Sequence, residues 1–156
     1  MIFQNIELYE TDYFQYLLIH KNGSSSIIEC IKNTNYIVTD KVNLNKIRWT
    51  VIREPYERFI AGLKYDLSRH NLDYKDINYA SLQNARINLL TRNNGHINHT
   101  TSQVSYLINT QIDWYVELKD LNTFLKMHFN KVKYCNNNTN SIELNLDKEE
   151  IMKYLN

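Results

Sequence analysis

The stretch Tyr16-Leu17-Leu18-Ile19-His20-Lys21-Asn22-Gly23-Ser24-Ser25-Ser26-Ile27-Ile28-Glu29-Cys30-Ile31 decides how the rest of the chain is read. Its first four residues form an apolar run of strand length, and Ser26 to Ile31 reads as the first turns of a helix packed on that strand. A strand that breaks into a Lys-Gly-Ser loop and re-enters as a helix gathers three sources of positive potential. These are the unpaired N–H groups of the first helical turn, the helix dipole and one ammonium. Together they make a phosphate cradle. The segment is not a Walker A loop, because Lys21 precedes Gly23 and the order Gly-x-x-x-x-Gly-Lys-Ser/Thr is absent. The plainer reading is a Ser-rich helix start. Lys21 weighs against it, since a lysine held between a buried strand and a glycine turn carries its charge poorly to water unless an anion meets it.

Working outward, strand and helix patterns alternate, which predicts α/β architecture with a mostly parallel sheet. Tyr36 to Thr39 is a short β-rich run, and Ile47-Arg48-Trp49-Thr50-Val51-Ile52 reads as a strand. Pro55 stands where a helix begins, and Tyr56, Phe59, Ile60, Leu63 and Leu67 carry helical spacing to about Arg69. Arg53 thus falls at the carboxyl end of a strand and just before a helix start, the position at which open α/β sheets bind ligands. Taken alone, Arg53 reads equally as a surface partner of Glu54 or Glu57. Farther on, Leu82, Ala85, Leu89 and Leu90 mark a helix, and Thr91 to Thr101 a loop holding Gly95, His96 and His99. Ser102 to Ile108 is a short helix and Ile112 to Val116 a strand. Leu121, Phe124, Leu125 and His128 mark a further helix, and Val132 to Cys135 a last strand. Asp147-Lys148-Glu149-Glu150 reads as a capping box opening a C-terminal helix.

Bulk properties narrow the field. A chain of 156 residues is one domain's worth and buries about 68–70% of its unfolded surface without staples. A net charge of +1 argues against a nucleic-acid partner. Two cysteines, Cys30 and Cys135, make neither a disulfide framework nor a metal site and fit a reduced, cytoplasmic core. No apolar run nears the ~20 residues needed to span a bilayer, and Met1 to Tyr13 carries acids where a signal peptide is basic.

Two segments in combination say more than either alone. Lys21-Asn22-Gly23-Ser24-Ser25-Ser26, followed by Arg53-Glu54-Pro55-Tyr56-Glu57-Arg58-Phe59, resembles the sulfotransferase superfamily, particularly the carbohydrate sulfotransferases. His99-Thr100-Thr101-Ser102-Gln103 resembles that family's His-x-x-x-Gln stretch, and the segment through Glu117 to Leu121 its following strand end. The resemblance runs from about Tyr16 to Phe129. It implies a P-loop-type three-layer fold in a compact single domain, residues 1–156. It implies that the Lys21 loop, with Asn22, Gly23, Ser24, Ser25 and Ser26, holds the 5′-phosphosulfate of PAPS (3′-phosphoadenosine 5′-phosphosulfate). Arg53 then grips the 3′-phosphate, and the sulfuryl group passes to an acceptor hydroxyl, most naturally on a carbohydrate. No metal is implied.

The chain also departs from the family. Ala61 stands where a second 3′-phosphate ligand, a serine, is usual, and His20 where proline is common. The chain is short for the family, which leaves room for a site completed across a homodimer. The base that deprotonates the acceptor stays open among His99, which matches the family's histidine, His20 beside the loop, and the acids Glu117 and Asp66. Gln103 reads either as a group orienting substrate or His99, or as a solvated side chain. Trp114 and the many tyrosines are sugar-stacking candidates or core. A degenerate nucleotide-binding adaptor and a small atypical ATP-dependent kinase are the competing functions.

Overall fold

The computed structural model describes residues 6–69, 102–108, 110–129 and 148–149. They divide into two units by their contacts: 6–53 with 103–108 and 110–129, and 54–69 with 102 and 148–149. The first unit holds a five-stranded sheet in the order β3-β1-β2-β4-β5. Its strands are β1 (Leu8–Thr11), β2 (Phe14–Leu17), β3 (Tyr36–Thr39), β4 (Ile47–Ile52) and β5 (Trp114–Glu117). Helices α1 (Ser24–Ile31), α3 (Val104–Leu107) and α4 (Leu121–Phe129) belong to it, α4 being led in by a 3-10 turn, Leu118–Asp120. The second unit holds α2 (Pro55–Arg69), in which Phe59 and Leu63 are buried one turn apart.

The sheet is mixed, not mostly parallel. β2, β4 and β5 pair in parallel, but β1 pairs antiparallel to both β2 and β3. The sequence reading leaves β1 unassigned because Asp12-Tyr13 lacks the Gly or Asn that usually marks a two-residue hairpin. Thr11 supplies the turn instead: its Oγ1 accepts the N–H groups of Tyr13 at 3.3 Å and Phe14 at 3.2 Å. Pairing with β1 also draws β2 toward the N-terminus, so that it spans Phe14–Leu17 where the apolar run suggests Tyr16 to Ile19. β3, β4 and α2 occupy the predicted ranges. Lys148 and Glu149 are helical, as the capping box predicts. The predicted helix near Leu82 to Leu90, the loop Thr91 to Thr101 and the strand Val132 to Cys135 lie outside the described residues.

One face of the sheet carries the larger core. Ile27, Cys30 and Ile31 of α1, at spacings of three and four, and Leu121 and Leu125 of α4 pack against Tyr16, Trp49, Val51 and Val116. An aromatic row crosses the strands here, with Tyr16 and Trp49 centroids 4.8 Å apart and Phe124 a further 4.8 Å from Trp49. Cys30 is buried in this layer and stands outside any disulfide. On the opposite face Leu8, Leu17 and Ile19 pack with Tyr106 of α3. Among the described residues no helix is long and apolar enough to cross a membrane.

That second face also buries charge. Arg48, 4% exposed in β4, donates its N–H to Asp113 Oδ2 at 2.8 Å and Nη2 to Asp113 Oδ1 at 3.3 Å. Gln15, fully buried, donates to Glu10 and to Lys41 O, and accepts from Asn43 N at 2.8 Å. Lys46 Nζ closes the group on Glu10 Oε1 at 3.1 Å. These bonds tie the connection between β3 and β4 to the sheet. The Arg48 backbone N–H, helped by the guanidinium charge, lowers the pKa of Asp113. Desolvation raises that of Glu10, but hydrogen bonds from Lys46, Gln15 and Asn43 outweigh it and the net shift is downward.

Carboxyls depressed in the fold contribute stability above their unfolded pKa, about 4, and lose it as pH falls through the lower folded values. The thermal midpoint is therefore expected to hold level from neutral pH to about 5 and to drop below it. Glu10→Gln with Asp113→Asn should flatten the drop; an unchanged acid slope in the double variant contradicts the assignment.

Candidate functional site

The ladder between β2 and β4 gives out before β4 ends. Its last paired residues are Tyr16 and Trp49. Beyond them side chains take the place of the backbone: Thr50 Oγ1 donates to Leu17 O at 2.8 Å, and Asn22 Nδ2 donates to Val51 O at 2.6 Å. The chain leaving β2 runs through α1 to β3 on one side of the sheet, whereas the chain leaving β4 returns as β5 on the other. The parting of β2 and β4 is thus a topological switch point, where the carboxyl ends of parallel strands leave a crevice. Lys21 and Arg53 follow those two strands.

The loop after β2 is held in an uncommon conformation. Asn22 N donates to Ile19 O at 3.3 Å, closing a turn in which Lys21 has φ 67°. A lysine in the left-handed region costs on the order of 1–3 kcal/mol and persists only where its surroundings enforce it. Gly23 follows at φ 77°, and a Cβ there would stand 2.5 Å from Leu121 Cδ2 and 3.0 Å from Leu118 Cδ1. Glycine takes this torsion without strain and avoids the close approach to the two leucines. Its carbonyl accepts the N–H groups of Ser26 at 3.2 Å and Ile27 at 3.3 Å. The helix ladder therefore starts two residues earlier than the sequence suggests. Ser26 has its N–H committed to that ladder, so the amides at the mouth of the dipole are those of Gly23, Ser24 and Ser25.

Arg53 is tied to this loop. Its Nη1 donates to Lys21 O at 3.2 Å, a charge-assisted bond on the strained residue. Glu54, one of the surface partners considered for Arg53, has its carboxylate accepting Glu57 N–H at 2.8 Å, capping α2. Gln103 holds the Arg53 backbone at both ends: Oε1 accepts Arg53 N–H at 3.3 Å and Nε2 donates to Arg53 O at 2.7 Å. The same Oε1 accepts Asn22 Nδ2 at 3.0 Å. Asn22 is fully buried, and its Oδ1 has no hydrogen-bond partner. Gln103 is accordingly a partly buried bracket, and the reading of it as a solvated side chain is corrected. The Lys21–Asn22 loop, Arg53 and Gln103 are joined here by four side-chain bonds, and a fifth ties Asn22 to Val51 O.

The acid–base candidates are spread differently. His20 sits partly buried at the start of the loop. His99 and the side chain of Asp66 lie outside the described residues. Glu117 ends β5 in register with Ile52 and pairs with Lys119 Nζ at 2.8 Å on the exposed edge. That carboxylate raises the pKa of Lys119. Arg58 is buried within α2, and Ala61 is partly buried there. His128 is exposed at the end of α4 with its ring 4.5 Å from Phe124. Trp114 and Tyr115 on β5 are each about half exposed. No protein-family model matches the chain, and neither curated proteins nor solved structures include a significant match.

Asn22→Leu keeps most of the volume and strips Val51 O and Gln103 Oε1 of a buried donor, a loss of about 1–3 kcal/mol. Gly23→Ala should cost at least as much, through strain and the clash with Leu121. Urea unfolding at pH 7 measures both; values within 0.5 kcal/mol of the parent contradict the bracing role of this loop.

Proposed function

We propose that this chain is a PAPS-dependent sulfotransferase acting on a hydroxyl, most naturally of a carbohydrate. The observation that carries the reading is that Lys21 and Arg53 follow the two strands that part at the switch point, and that the guanidinium is bonded to the Lys21 carbonyl. A nucleotide bearing an anionic group at each end of its ribose fits such a pair of cationic groups. The amides of Gly23, Ser24 and Ser25, with the three serine hydroxyls and Lys21, would hold the 5′-phosphosulfate, and Arg53 the 3′-phosphate. The left-handed torsions of Lys21 and Gly23 support this fit, since such torsions turn successive backbone amides to one side, where an anion can bind. In this reading the sheet, with α1 and α4 on one face and α3 on the other, is a P-loop-type three-layer fold into which β1 has been inserted. A buried Cys30 outside any disulfide suits a cytoplasmic setting.

The donor supplies an activated sulfuryl group. The chain's own task is to neutralise charge on the leaving phosphate, which Lys21 and the preorganised loop amides do. As the acceptor oxygen bonds to sulfur, the bridging S–O bond breaks, and the acceptor proton passes to a base. His99, His20, Glu117 and Asp66 are the residues of suitable chemistry. Ala61, in place of the usual serine, favours a second reading in which the fold binds nucleotide without turnover.

In thermal-shift measurements adenosine 3′,5′-bisphosphate is expected to stabilise strongly, by about 2.7 kcal/mol at a hundredfold excess over Kd, and ATP and AMP little. Equal shifts from all three remove the assignment, and a dominant ATP shift favours a kinase. Lys21→Ala should lower sulfuryl transfer to a carbohydrate panel by roughly 10²–10³-fold while bisphosphate affinity changes far less. A loss confined to affinity indicates the non-catalytic module.

A further inference from the structure

We infer that Gln103 is a positioning residue that lets the site read both ends of its nucleotide together, an inference that rests on the nucleotide reading above. Arg53 lies one residue beyond the last paired position of β4, where Ile52 faces Glu117. Its backbone N–H and C=O have run out of strand to pair with, and such groups need partners when they leave water. The Gln103 side chain supplies one donor and one acceptor to the same residue, at 2.7 and 3.3 Å, as a neighbouring strand would. This fixes the backbone from which the guanidinium is aimed.

The bracket reaches the other end of the site as well. Gln103 Oε1 is shared with Asn22 Nδ2, and Asn22 is itself anchored on Val51 O. From Asn22 the chain passes directly to Lys21, whose carbonyl takes the Arg53 Nη1 bond. A closed circuit therefore runs Arg53 backbone, Gln103, Asn22, Lys21 carbonyl, Arg53 guanidinium. An anion drawn to the loop holds Asn22 and Lys21 in the arrangement that also places Arg53. The contribution of the 3′-phosphate to binding is thereby made conditional on Gln103, although Gln103 itself touches no phosphate.

The test is the ratio of dissociation constants for AMP and adenosine 3′,5′-bisphosphate, measured by calorimetry on the full chain. Because both ligands are read on one preparation, the ratio cancels any general loss of folded protein. Gln103→Met preserves length and removes all three bonds. It should lower the ratio about tenfold, the worth of the two bonds to Arg53, and leave AMP binding within about threefold. Gln103→Glu keeps the acceptor and loses the donor, and its ratio should fall between parent and Gln103→Met. If Gln103→Met does not fold, the fall in Gln103→Glu carries the test alone. An unchanged ratio, or equal weakening of both ligands, overturns the positioning role. A parent ratio near one defeats the two-ended nucleotide reading first, and this inference with it.

Discussion

The structure around the switch point depends on one substitution of parts: side-chain amides stand in for a backbone ladder. Where β2 and β4 separate, Val51 O and both backbone groups of Arg53 have no strand opposite, and Asn22 and Gln103 satisfy them. Buried peptide groups left unpaired cost on the order of 1–3 kcal/mol each, so a sheet can open a crevice only if something pays that cost. Here the residues that meet it are also those that set the loop and the arginine. The parting of the strands and the bracing of the loop share one cause.

That economy explains an otherwise awkward backbone. Lys21 occupies a torsion that a glycine or asparagine would take more easily, and the chain keeps lysine there. Its carbonyl receives a charged donor from Arg53, and Asn22 beside it is locked into the core. Strain at Lys21 is thus held by contacts on both sides. Gly23 completes the bend against Leu118 and Leu121, which links the loop to the start of α4 and to the larger core.

Much of this was legible in the residues, and the exceptions are instructive. The ranges of β3, β4 and α2 follow from local pattern, because apolar spacing and Pro55 act within a few residues. The range of β1 does not, since its hairpin is made by the Thr11 hydroxyl, and Glu10, Gln15 and Lys46 belong to a partly buried polar network that resembles a surface in sequence. The antiparallel pairing that makes the sheet mixed is hidden for the same reason. At the site, Lys21, Gly23 and Arg53 carry signals of charge and torsion that a sequence displays. Asn22 and Gln103 act through partners 29 and 81 residues away, and an amide's hydrogen-bond partners are not written in its neighbours.

The most direct test of the central claim is a ¹H–¹⁵N titration of the full chain with adenosine 3′,5′-bisphosphate. The account predicts that the amides of Gly23, Ser24 and Ser25 and the Arg53 side-chain Nε–H shift together along one saturation curve. Shifts at the loop with Arg53 unmoved, or at Arg53 with the loop unmoved, would contradict it.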